Sequence, residues 1–226
     1  MALQNLINIG FLDIYANCVY ENVWSIKDAK IFYKQLKDIS DFILNNNLED
    51  TVFCSLFDEN FFTPMKDEEN ENWCGGTGKM LAVNHKGDLY PCLRYMESSL
   101  GDDAEPIIIG NINHSIGYTD KEKKWINDLE KITRTSQSSK KCNRCKIVRG
   151  CAWCSAYNYQ YYKKLNQRTT FICDMHKARA LANYYFWNKY YKKHNLTDRK
   201  KVYIPKRWAL KIISRKEFKM LLNLSK

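Results

Sequence analysis

The chain has 226 residues, 45% of them hydrophobic and 27% charged, which excludes a disordered polymer and leaves room for one large domain or two small ones. No apolar run approaches the roughly 20 residues that span a bilayer. The N-terminus MALQNLINIG has no basic segment leading into an apolar stretch and a small-residue cleavage site, so no secretory signal is expected. A cytoplasmic protein without a membrane partner is therefore the expectation. The formal charge is +11, from 36 Lys and Arg against 25 Asp and Glu. That admits nucleic acid or an acidic partner. Acid concentrates in residues 41–75 and base from Ser138 onward, and thiolates on a metal would subtract from the total. A solvated basic face is the default, and nucleic acid is not the expected partner.

Residues 6–15 alternate partly and are rich in β-formers, which predicts a strand. Ser25 with Asp28 three residues on is a helix start. Ala29, Phe32, Tyr33, Leu36, Ile39 and Ile43 then recur at helical spacing until Asn45, Asn46 and Asn47 stop the helix. Residues 51–57 are a short apolar run of the kind buried in a parallel sheet. Together these make a βαβ unit. One such unit cannot cover a parallel sheet, so the start of the chain reads as the tail of something larger.

Residues 67–173 are rich in loops. Residues 80–83, a turn over 84–87 and residues 88–90 predict a hairpin, and 107–112 a further strand. A polar helix is expected over 120–132. Another begins near Thr170, with Phe171, Met175, Ala178, Ala182, Tyr185 and Phe186 on one side. A basic linker follows His194, and the tail from Val202 ends in a short helix around 216–222.

Seven of the nine cysteines form a pattern: Cys74-x12-Gly87-x4-Cys92, then Cys142-x2-Cys145-x5-Cys151-x2-Cys154, then Cys173. In a reducing compartment such clustering points to metal rather than disulfides. Two thiolates two residues apart in a tight turn can face one metal centre, as in zinc knuckles and ferredoxins. Gly87 stands where the hairpin needs a positive φ, so that Cys74 and Cys92 can converge. Cys142, Cys145, Cys151 and Cys154 could instead hold one zinc ion, leaving Cys74, Cys92 and Cys173 as buried thiols. Spacing alone leaves structural zinc and iron–sulfur both open. The aromatics Trp73, Trp153, Tyr157 and Tyr159 slightly favour a cluster, which needs a dry pocket.

The pattern resembles the SPASM domain, the C-terminal cluster-binding extension of many radical SAM enzymes. Its signature is C, nine to fifteen residues, G-x4-C, a gap, C-x2-C-x5-C-x3-C, a gap, C. The one departure is that Cys151 and Cys154 are separated by two residues instead of three. Residues 74–82, 150–154 and 173–179 look most like peptide maturases, which modify cysteine-rich ribosomal peptides, often by joining a Cys sulfur to a carbon of another residue. The resemblance covers residues 70–190 strongly and 1–60 loosely.

It implies an α/β fold in three parts. Residues 1–66 would be the C-terminal βα units of a partial (β/α) barrel, the remnant of a radical SAM half-barrel. Residues 67–195 would be a loop-rich SPASM domain with a β-hairpin and helices, and 196–226 a basic C-terminal tail. Two [4Fe–4S] clusters are implied, a distal one on Cys142, Cys145, Cys151 and Cys173 and a nearer one on Cys74, Cys92 and Cys154. In some relatives a further cysteine completes the nearer cluster, but residues 75–82 contain none. A thiolate of the cysteine-containing precursor peptide is expected as fourth ligand, because soft sulfur suits iron. The basic residues Lys140, Lys141, Arg144, Lys146 and Arg149 would raise a nearby cluster's potential and attract an acidic leader peptide.

No three cysteines have the Cys-x3-Cys-x2-Cys spacing that holds the cluster cleaving S-adenosylmethionine. The chain is therefore not expected to be active alone, and S-adenosylmethionine enters only if a separate radical SAM half is supplied. Fragment, split subunit and decayed relative all fit. Cys18 and Cys54 are expected in the core. Asn17 and Glu21 lie at a strand end where half-barrels set cofactor-contacting groups, with solvation of that end the plainer reading. Residues 75–79 are not a phosphate loop, since Trp73 replaces the first Gly and Met80 the Ser or Thr. His176, one turn after Cys173, is expected beside a cluster or at the surface rather than as a ligand. The competing reading is a non-enzymatic structural zinc protein that binds RNA or a protein partner through its basic surface.

Overall fold

The computed structural model describes residues 2–62, 67–70, 74–197 and 204–226. Trp73 and Val202, used in the sequence reading above, lie outside the described residues. In chain order the first elements are α1 (Ala2–Asn8), β1 (Asp13–Ile14), α2 (Ile26–Asn45), β2 (Phe53–Cys54), β3 (Ala82–Val83), β4 (Asp88–Tyr90) and α3 (Glu97–Leu100). Then come β5 (Gly110–Asn111), α4 (Asp120–Glu130), α5 (Arg134–Gln137), α6 (Lys140–Asn143), α7 (Ser155–Tyr162), α8 (Cys173–Lys193), α9 (Lys206–Ile212) and α10 (Arg215–Leu224). The chain mixes α and β and is mostly helical, with two small sheets among the described residues. Among the described residues no helix is long and apolar enough to cross a membrane. Residues divide into two compact units, the first from 1–64, 146–151 and 171–226, the second from 65–145 and 152–170.

In the first unit the predicted start of α2 holds. Ser25 Oγ accepts from the Asp28 N–H at 3.4 Å while the Asp28 carboxylate accepts from the Ser25 N–H at 2.8 Å. The helix buries Ala29, Tyr33, Leu36, Ile39 and Ile43, and ends at Asn46 with Asn47 at φ 55°. β1 and β2 pair in parallel, Asp13 opposite Phe53 and Ile14 opposite Cys54, so the βαβ unit is present. The strand predicted over 6–15 is only its last part. Leu6 and Ile7 belong to α1, which Gly10 ends at φ +99°. The Phe11 N–H donates to Leu6 O and the Gly10 N–H to Ile7 O, the bond pair of a glycine helix stop.

α8 is buried on most of its circumference rather than on one side. Ala178, Ala180, Leu181 and Ala182 have no exposed surface, and His176, Asn183, Tyr184 and Asn188 are buried as well. Small alanines let neighbouring segments approach from several directions, which an apolar stripe alone does not reveal. The buried polar groups have work. Asn183 accepts from the Asp58 N–H and donates to Leu56 O, both at 2.8 Å. Arg179 donates to Leu56 O at 3.0 Å and Ser55 O at 2.5 Å. α8 thereby satisfies the backbone just beyond β2. In the tail, α10 matches the predicted helix and α9 was not predicted. Ala209, Ile212, Ile213, Phe218 and Leu221 join the same core.

The second unit has its own core, built on Tyr95, Leu100, Ile107, Ile109, Leu129, Ile132, Ala156 and Tyr159. β3, β4 and β5 form an antiparallel sheet in that order, with Ala82 opposite Tyr90 and Leu89 opposite Gly110. The strand predicted over 107–112 narrows to β5. The polar helix predicted over 120–132 is α4, begun by a reciprocal Thr119–Glu122 cap.

Truncating Leu181→Ala should lower stability by about 3 kcal/mol, since the side chain is fully enclosed. Urea unfolding followed by circular dichroism measures it, and a loss under about 1 kcal/mol would contradict the enclosure of α8.

Candidate metal centre

The hairpin that carries Cys92 is fixed by its turn. Asn84 Oδ1 accepts from the N–H groups of Lys86 and Asp88, each at 2.9 Å. Its amide donates to Asp88 Oδ2 at 3.1 Å and to the Tyr90 hydroxyl at 2.9 Å. Hydrogen bonds from Asn111 and Asn84 hold the Asp88 carboxyl below the usual carboxylate range. Gly87 adopts φ +81°, as expected, and a Cβ there would stand 2.6 Å from Ile112 Cγ1. Both the backbone angle and the space demand glycine.

β4 runs through Pro91 into Cys92, which opens a 3-10 turn over Leu93–Tyr95. On the other side of the hairpin, the loop from Cys74 is closed by the Lys79 N–H donating to Gly75 O at 2.8 Å. A Cβ placed on Gly76 would lie 3.5 Å from both Cys74 Sγ and Cys92 Sγ, so the two sulfurs lie within twice that distance of each other. Cys74 is exposed and Cys92 half-buried.

Cys154 caps α7, its sulfur accepting from the Tyr157 N–H at 3.4 Å. The buried Tyr95 hydroxyl donates to Ser155 Oγ at 2.8 Å, which ties the turn begun by Cys92 to the start of α7. The three thiols feel one another. Burial raises Cys154 above the ordinary thiol range, the Tyr157 N–H and Arg94 oppose it, and Cys92 and Cys74 reinforce it. Burial also raises Cys92, opposed by the Arg94 and Tyr95 N–H groups and the Arg94 charge, and reinforced by Cys74. The Arg94 guanidinium lies over the Tyr157 ring at 5.9 Å. A cation and backbone donors beside grouped thiols favour the thiolate, the form that binds metal.

Cys142 and Cys145 form a tight turn in the same unit. The Cys142 N–H donates to Ser139 Oγ at 3.3 Å and the Cys145 N–H to Cys142 O at 3.0 Å. In the first unit the Cys151 N–H donates to Val148 O at 3.3 Å, and Cys173 begins α8. Among the described residues no three His, Cys, Asp or Glu side chains are close enough to share one metal ion. Lys140, Lys141, Arg144 and Lys146 are exposed and Arg149 is half-buried. Trp153 packs at the margin of the second unit's core, where Tyr159 is buried.

Cys54 lies in the first unit's core, where it was expected, and Cys18 packs against it. Burial pushes the Cys18 thiol up to about 11 despite Arg179, and raises Cys54 as well. Asn17 and Cys18 line a largely apolar cavity of about 490 Å³ with Trp24, Phe32 and Met175. Glu21 is half-buried, and His176 is buried inside α8. The sequence reading did not single out Gly76, Arg94 or Tyr95. Their signal was position alone, two residues after Cys74 and two and three after Cys92. No family model, no curated protein and no solved structure matches the chain.

Gly87→Ala should cost about 2 kcal/mol through left-handed strain, read as a lowered unfolding midpoint. In metal-free protein at pH 8, iodoacetamide should label Cys74 well before Cys18 and Cys54, as mapped by mass spectrometry. The thiolate is the reacting form, so a raised thiol loses reactivity below its own range. Cys18 labelling should rise only as pH approaches about 11. Equal labelling of Cys18 and Cys74 at pH 8 would contradict the burial.

Proposed function

We propose that this chain is the auxiliary cluster-bearing portion of a radical SAM peptide maturase, holding two [4Fe–4S] clusters and positioning a cysteine-containing ribosomal peptide. The observation that carries the reading is the convergence of Cys74 and Cys92 on Gly76, with Cys154 in electrostatic contact with both. The parallel β1–β2 pair joined through α2 supports the last βα units of a partial barrel in front of a SPASM-type domain.

The separation of the Cys74 and Cys92 sulfurs, at most twice 3.5 Å, admits either a cubane or one zinc ion, and the choice of a cubane rests on the resemblance. Thiolates sharing a tetrahedral zinc at 2.3 Å stand about 3.8 Å apart. A cubane takes each thiolate on a different iron and needs its ligands farther apart. Cys74, Cys92 and Cys154 would hold the nearer cluster, and Cys142, Cys145, Cys151 and Cys173 the distal one, an assignment resting on spacing and resemblance. When bound on three cysteines, the nearer cluster supplies one iron without a protein thiolate and a one-electron store.

The chain's own residues do the rest. Arg94 and the backbone N–H groups of Arg94, Tyr95 and Tyr157 stabilise negative charge on sulfur. Gly76, lacking a side chain, leaves the approach to the sulfurs of Cys74 and Cys92 open. The exposed side of Cys74 is where a precursor thiol would arrive. Radical generation from S-adenosylmethionine belongs to a separate radical SAM half in this reading, so the chain alone is inactive.

Protein purified without oxygen should be brown, absorb near ~400 nm, and contain about eight iron and eight sulfide per chain. Cys154→Ala should remove about half of that iron, and Cys142→Ala the other half. About one zinc with no iron would overturn the proposal in favour of the structural zinc reading.

A further inference from the structure

The sheet beside the candidate metal centre has an open edge. Leu89 O accepts from the Ile109 N–H and Gly87 O from the Ile112 N–H, so Leu89 on β4 and Gly87 just before it turn their backbone toward β5. Asp88 O accepts from the Asn84 N–H, so on β3 the residues facing β4 are Ala82 and Asn84. The backbone groups of Leu81 and Val83 therefore face outward. Among the described residues nothing bonds to them. Their side chains are 54% and 53% exposed, while Ala82 between them is buried. A row of unused N–H and C=O groups is a template for one more strand.

An apolar groove of about 440 Å³ starts at this edge. Leu81, Pro91, Ile109, Ile116 and Ile126 line it, with Lys79 and Glu130 also on its wall. It adjoins the sulfurs through two covalent links. Pro91 is bonded to Cys92, and Gly78 and Lys79 end the loop whose Gly76 would set a Cβ 3.5 Å from both Cys74 Sγ and Cys92 Sγ. The second unit carries 15 Lys and Arg against 13 Asp and Glu, so it offers little net charge for recognition. Backbone pairing and apolar side chains are what this surface has to give.

We propose that the outer edge of β3 binds an extended segment of the cysteine-containing peptide as an added strand, with an apolar side chain of that segment in the groove. The proposal rests on the maturase reading for the identity of the peptide. Strand addition takes affinity from the main chain and selectivity from a pocket for alternate side chains. The result is a register. The residue in the groove fixes which peptide position comes to the thiol site, and a peptide with a polar residue there is rejected.

The test uses the full chain, immobilised without oxygen, and a pool of peptides of about ten residues with a central Cys, Thr at alternate positions and Val, Leu, Phe or Gly at the others. Retained peptides are read by mass spectrometry. Those with Val, Leu or Phe should be enriched about tenfold over the Gly forms, and backbone N-methylation should abolish retention. Val83→Pro removes only an outward N–H and Ile116→Glu charges the groove, and each should lower retention about tenfold while leaving iron content unchanged. No enrichment, or retention unchanged by N-methylation and by both variants, overturns the proposal. A wild-type dimer that Val83→Pro dissociates also overturns it, because a second copy would then occupy the edge. The maturase reading fails separately. Colourless, iron-free protein that still selects apolar peptides through β3 would leave the strand site standing and sink the clusters.

Discussion

Thiols gathered in a small volume repel once they ionise, and the second unit is arranged around that constraint. Burial raises both Cys92 and Cys154 above the ordinary thiol range, and neighbouring thiols reinforce it, Cys74 on Cys92 and both Cys92 and Cys74 on Cys154. Against this stand the nearby Arg94 charge and the backbone N–H groups of Arg94, Tyr95 and Tyr157, the last donating to the Cys154 sulfur. None of these groups alone would make three anions comfortable together. A bound cation would do so, because binding metal and releasing protons are one event. In the proposed reading the site is therefore a receptor for positive charge, whatever substrate it later meets.

The first unit solves a different problem. Its parallel pair of strands is only two residues long on each side, far too short to hold itself. α2 joins the two strands and packs against α8, and α8 reaches the chain beyond β2 with Arg179 and Asn183. Tyr33 and Tyr185 extend the logic to the periphery, their hydroxyls donating to Glu217 and Asp41 at 2.7 Å each.

Much of this was legible because the signals are local. Ser25 with Asp28 and the turn from Asn84 to Gly87 each act within four residues, and each formed as read. The failures are equally instructive. Leu6 to Tyr15 looks alternating, but Gly10 divides it, and a glycine stop outweighs the β-propensity of Ile7 and Ile9. α8 looks one-sided because its alanines and asparagines count as neutral or polar, whereas tertiary contacts bury them. Cys54 could be assigned to the core from type alone. Arg94 and Gly76 could not, since their importance lies in which sulfurs they face, and that depends on contacts between segments distant in sequence.

The bond from Tyr95 to Ser155 has a wider consequence. Small metal domains commonly have no fold without their ion. Here the hydroxyl pair lies beside an apolar core that includes Leu100, Ile107, Leu129 and Ala156. Cys92 and Cys154 are thus held in place by the same scaffold before anything binds. In the proposed reading, loading would resemble filling a socket more than folding a chain, and losing the metal would leave the socket ready to be refilled.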